Sequence, residues 1–124
     1  MGDYRQLDAW KSARQLAVAT YRVTSELPKH ERYSLGDQMR RAAVSVASNI
    51  AEGAGRGTTR EFVRFMRIAR GSLQELLTQI AIAAELELLA RAALHALEDQ
   101  AEQTGRLLFG LIRYRTASGG QAKT

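Results

Sequence analysis

The chain has 124 residues, a formal charge of +5 and no cysteine. That length fits one domain with a sizeable hydrophobic core. The lack of cysteine excludes a disulfide framework, thiolate–zinc sites and a cysteine nucleophile, and suits a reducing cytoplasm. The longest uncharged runs, Ala42 to Ala51 and Leu76 to Ala84, fall far short of the ~20 apolar residues that span a bilayer. The N-terminus has no apolar signal region, and Gln6 stands where a myristoylation signal needs Ser or Thr, so a soluble cytoplasmic protein is expected.

Leu, Ala, Arg, Glu and Gln dominate, Pro28 is the only proline, and no strand-like alternation persists, which predicts an all-α chain. Ala9, Ala13, Leu16, Thr20, Val23 and Leu27 recur at three-four spacing and predict a first helix over 7–27, widened by Trp10, Ala17 and Tyr21. Pro28 ends it, since it lacks an N–H and restricts the preceding residue. Ser34 is the expected N-cap of a second helix over 34–52, with Asp37 in its first turn. Gly53 is expected to close that helix in the left-handed conformation.

Thr58-Thr59-Arg60-Glu61 matches a capping box that opens a third helix over 58–87. Its core face carries Phe62, Phe65, Met66, Ala69, Leu73, Leu76, Leu77, Ile80 and Ala84. No Gly or Pro separates it from the Leu94, Leu97, Ala101, Thr104, Leu108, Leu111 stripe of a fourth helix over 91–115. A single helix from Thr58 to Arg115 would be ~87 Å long at 1.5 Å per residue, so a turn is placed near Glu87–Arg91. Residues 1–116 are thus expected to form one antiparallel, up-down-up-down four-helix bundle, followed by a flexible tail over 117–124.

Charge is polarised along the chain. Arg32 to Arg70 holds eight arginines against Asp37, Glu52 and Glu61, a net +5, whereas Gly71 to Gln103 holds six acids against Arg91 alone. The glycine-rich stretch Gly53 to Gly57 lacks the lysine of a Walker loop and the strand that precedes a dinucleotide fingerprint. It reads either as a turn alone or as a weak anion contact beside Arg56 and Arg60. On a helical projection Arg60, Arg64, Arg67 and Arg70, joined by Arg56 if the helix extends that far back, share one arc of about 120° opposite the Phe62 and Phe65 face, with Glu61 and Glu75 off the arc. That stripe suits phosphate, an intersubunit ion-pair strip or plain solvent exposure, and no aromatic residue interleaves with it.

Arg41, Ser45, Asn49 and Glu52 form a polar seam that a second seam, Ser72, Glu75 and Gln79, is placed to face as a structural network. Ala43, Ala47 and Ala51 make a small-residue ridge beside it, for the bundle or a subunit contact. His30 and His95 belong to no metal-binding spacing, and Ser72 lacks a nucleophile-elbow pattern, so no catalytic residue, metal or cofactor is expected.

Arg40-Arg41-Ala42-Ala43-Val44-Ser45, Asn49-Ile50-Ala51-Glu52-Gly53, Gly55-Arg56 and Ile68-Ala69-Arg70-Gly71-Ser72-Leu73-Gln74-Glu75-Leu76 resemble the signature of the four helix bundle protein family, also called 23S ribosomal RNA intervening-sequence proteins. Leu7-x-x-Trp10-x-x-Ala13 and Leu27-Pro28-x-x-Glu31-x-Tyr33-x-Leu35-x-x-Gln38 fit the same pattern. The resemblance covers roughly Leu7 to Leu86; Glu85 to Leu89 departs from the family's Gly-aromatic turn, and the last helix conforms only in its apolar spacing. It implies a bundle that assembles into a homopentameric ring. It also implies kinship with the accessory variability determinant of diversity-generating retroelements, a basic pentamer that binds nucleic acid and a reverse transcriptase. The expected function is a non-catalytic oligomer that binds RNA or DNA backbone through its arginine face, as an accessory to an RNA or reverse-transcriptase system. The alternative is an adaptor whose charged faces serve ring assembly and protein contact alone.

Overall fold

The computed structural model describes residues 3–122, with side chains through Ala117. A short 3-10 turn at Tyr4–Gln6 leads into α1 (Asp8–Thr24), α2 (Lys29–Arg32), α3 (Leu35–Ala54), α4 (Thr59–Glu85) and α5 (Arg91–Ala122). The four long helices pack in a closed cycle, α1 on α3, α3 on α4, α4 on α5 and α5 back on α1. Three contacts fix their directions. Arg40 at the start of α3 reaches Thr24 at the end of α1, Gly53 near the end of α3 meets Met66 near the start of α4, and Arg115 late in α5 lies over the Phe62 ring. Neighbours are therefore antiparallel, in the expected up-down-up-down order.

The core follows the apolar stripes read from the sequence, except that Ala84, expected in it, is exposed and Ala83 is buried instead. Leu16, Met39, Ile50, Phe62, Met66, Leu76, Leu97 and Leu108 are fully buried, and each contributes roughly 1.5–3 kcal/mol relative to an exposed side chain. Thr20 and Thr24 sit in the same stripe because their hydroxyls donate at 2.7 Å to the carbonyls of Leu16 and Thr20, one turn back. Tyr21, assigned to that stripe, is instead 53% exposed.

Helix ends differ from expectation in instructive ways. α1 stops at Thr24, and Pro28 heads the short α2, its carbonyl accepting from Glu31 and Arg32. Ser34 precedes α3 but makes no side-chain cap bond. Gly53 is not a left-handed stop: it lies inside α3, which closes at Gly55 with φ −85°, and no glycine among the described residues has positive φ. Its role is steric, because a Cβ there would sit 2.5 Å from Met66 Cε and 2.8 Å from Phe65 Cβ. The absence of a side chain lets α3 and α4 meet.

Among the described residues the one with a left-handed backbone is Glu87, with φ 56°. Leu88 N–H donates to the Ala83 carbonyl and Glu87 N–H to that of Ala84, the paired bonds of a Schellman stop. The turn thus falls where length demanded it, built without glycine. α5 continues beyond the expected end at Arg115 to Ala122, through most of the segment read as a tail; Lys123 and Thr124 lie outside the described residues.

Candidate nucleic-acid interface

The arginine stripe is set by α4 and by the loop before it. Thr58 caps α4, its hydroxyl accepting from Glu61 N–H at 3.1 Å. The reciprocal half of the capping box does not form, because the Glu61 carboxylate turns outward to Arg64 (Nε–Oε2 3.0 Å). That bond holds the Glu61 carboxyl below the ordinary glutamate range, helped by the nearby charges of Arg56 and Arg60, and the same bond with Glu61 raises Arg64 above the usual guanidinium. The expectation that the stripe escapes neutralisation within its own helix is therefore corrected at Arg64.

Arg56 is paired as well. It lies before α4 rather than on it, ion-paired to Glu52 at 2.8 Å. Its guanidinium stands 4.8 Å from the centre of the Phe65 ring, and that of Arg64 stands 4.5 Å from the same ring. An aromatic does meet the stripe, but Phe65 is half-buried and already carries two cations.

Arg60, Arg67 and Arg70 differ. All three are exposed on α4, and none has an ion pair among the described residues. Arg60, Arg64 and Arg67 edge an open groove of about 630 Å³ whose far side is Thr116 of α5. Arg70 edges a second groove of about 500 Å³ between the same two helices, with Arg106 and Phe109 on its α5 side. Phe109, Arg106 and Arg113 escaped the sequence reading, because the core stripe of α5 drew attention away from its outer face.

The polar seam is real but smaller than expected. Ser45 and Ser72 share a hydrogen bond of 2.8 Å between α3 and α4, and the Asn49 amide donates to the Ser45 hydroxyl and carbonyl. Glu52 leaves the seam for Arg56. Arg41 and Glu75 line the same narrow cleft without an ion pair, and Gln79 Oε1 is buried there without a protein partner. A second seam was not foreseen: Ser12 and Thr104 bond at 2.7 Å between α1 and α5, with the Gln100 amide donating to Ser12. Thr104 in an apolar stripe was its only sequence signal.

His30 and His95 face local acids, Glu31 at 3.8 Å and Asp99 at 3.5 Å, on opposite sides of α3 and α4 in the chain. No group of three or more His, Asp or Glu placed to hold a metal ion occurs among the described residues, and no helix among them is long and apolar enough to cross a membrane.

Residues 5–110 match the family described as 23S rRNA-intervening sequence protein. The chain belongs to that family. The intervening-sequence fold recurs in a crystal structure of a protein of unknown function from the S23 ribosomal protein family of Bacteroides thetaiotaomicron VPI-5482. That structure superposes with a TM-score of 0.78 at 17% identity, over 84% of this chain and 97% of the other. At that identity the likeness speaks for the fold. No curated protein matches this intervening-sequence protein.

Proposed function

We propose that this family member is a non-catalytic, oligomeric protein of the cytoplasm that holds a nucleic-acid backbone on the outer face of α4, as an accessory to an RNA or reverse-transcriptase system. The observation that supports this reading is the absence of any acidic partner on Arg60, Arg67 and Arg70 among the described residues, on a helix that pairs only Arg64 with an acid. Exposed guanidinium forks without counter-charges suit phosphate oxygens. Three such contacts are weak in one subunit; repetition around a homopentameric ring multiplies them through effective concentration.

Counterion release gives the test. Binding of a labelled RNA should fall linearly on a log–log plot with salt, by ~0.7 per phosphate contacted on a single strand, so by about 2 for three contacts. Absence of binding at ~50 mM salt, where such contacts are strong, removes the reading.

A further inference from the structure

The two grooves described above follow one another along α4, the first bordered by Thr116 and the second by Arg106 and Phe109 of α5. The helices run antiparallel, with Phe62 opposite Arg115 and Leu73 opposite Gly105. Arg67 therefore stands at the level of Gly110, between the groove that ends at Thr116 and the one that holds Phe109. One wall presents Arg60, Arg67 and Arg70 over ten residues, ~15 Å of helix. The other presents Arg106 and Arg113, neither ion-paired among the described residues; Arg106 donates to the neutral Gln103 side chain.

Phe109 lies between these walls. Its ring is 52% exposed, and the Arg113 guanidinium lies 5.7 Å from its centre. Leu73, Leu77 and Leu108 form an apolar floor beside it. Several aromatics of the chain are as exposed, Tyr21, Tyr33 and Tyr114 among them, but Phe109 lines a groove together with Arg70 and Arg106, which have no ion pair among the described residues. An aromatic face flanked by unpaired guanidinium groups has the composition of a base-stacking platform with phosphate contacts on either side. Glu102 lines the same groove one turn from Arg106, and its carboxylate opposes phosphate on that side.

We infer that the α4–α5 surface along these grooves takes single-stranded nucleic acid, with a base stacked on Phe109 and the flanking phosphates on Arg67, Arg70, Arg106 and Arg113. A duplex keeps its bases stacked on one another and cannot offer one to Phe109 without unpairing it. This inference rests on the proposed phosphate-binding role of α4 and adds the strandedness of the ligand.

Fluorescence anisotropy with the full chain separates the two. The probes are a labelled oligouridylate and an RNA duplex of the same length. The oligouridylate should bind more tightly, and Phe109→Ala should weaken it by roughly 5- to 150-fold, the range that one lost stacking contact produces. Duplex binding should be unchanged by that substitution, and Phe109→Trp should restore single-strand affinity. Equal affinity for both probes with no effect of Phe109→Ala overturns the stacking site and leaves the phosphate reading standing. Failure of both probes to bind at low salt overturns both readings. A drop in particle mass of Phe109→Ala by light scattering assigns Phe109 to a contact between copies of the chain, which also overturns the inference.

Discussion

The arginines of α4 and the loop before it divide into an anchored pair, Arg56 and Arg64, and a free set, Arg60, Arg67 and Arg70. The anchored two stand over one aromatic ring, Phe65, and each is paired with a glutamate one turn away. Phe65 in turn abuts Gly53 of α3, so this pair is tied to the bundle through packing. A turn further on, Arg67 and Arg70 have the same side chain, the same helix and no counter-charge among the described residues. Periodicity places all of them on one face, but local acids decide which keep their charge available. Exposure and residue type therefore do not make a binding site until the partners are counted.

The contrast can be challenged at each end. The largest effect is expected from Gly53→Ala. Met66 Cε can swing away from the added methyl group, but Phe65 Cβ is fixed by its backbone, so we expect ~1–3 kcal/mol of destabilisation, measured by chemical denaturation. Next come the two arginines compared directly. Arg67→Ala should weaken RNA binding about three- to fivefold, the worth of an exposed charge contact of roughly 0.7–1 kcal/mol, whereas Arg64→Ala should change it by less than about twofold because Glu61 already holds that charge. Equal losses would dissolve the distinction between the two regions.

Glu61→Gln should release Arg64 to the binding face and raise affinity by up to about threefold, with a steeper salt dependence. The same pair has a pH signature. Because the folded-state carboxyl of Glu61 is held below its ordinary range by Arg64, the pair contributes above that range and is lost as pH falls through the lowered value. In an NMR titration, Arg64→Ala should move the Glu61 midpoint back up. An unmoved midpoint would show that Arg64 is not its partner in solution.

Much of the architecture is legible in the sequence because apolar periodicity and helix length are strong constraints. Leu16, Phe62, Leu76 and Leu108 fall in the core as their spacing requires. The α4–α5 turn could be located by length alone, although Glu87 carries its left-handed conformation without the glycine that usually signals one. Gly53 misled for the opposite reason: a glycine near a helix end is read as a conformational switch, whereas here it answers to a contact some ten residues on, with Phe65 and Met66. The candidate site was half legible. The projection that grouped Arg60, Arg64, Arg67 and Arg70 knew nothing of side-chain partners, so it missed the Glu61–Arg64 pair. Nor could it join α4 to Arg106, Phe109 and Arg113, which only the packing of α5 brings alongside. The Ser12–Thr104 bond was hidden in the same way, since its two residues are 92 positions apart.

The most direct test is the charge reversal Arg60→Glu, Arg67→Glu and Arg70→Glu in one chain, compared with the unaltered protein by RNA anisotropy across a salt series and by light-scattering mass. We expect binding to disappear at every salt concentration while the mass of the assembly stays the same. Retained binding, or loss of the assembly along with the RNA, would contradict a phosphate-binding role for the free arginines of α4.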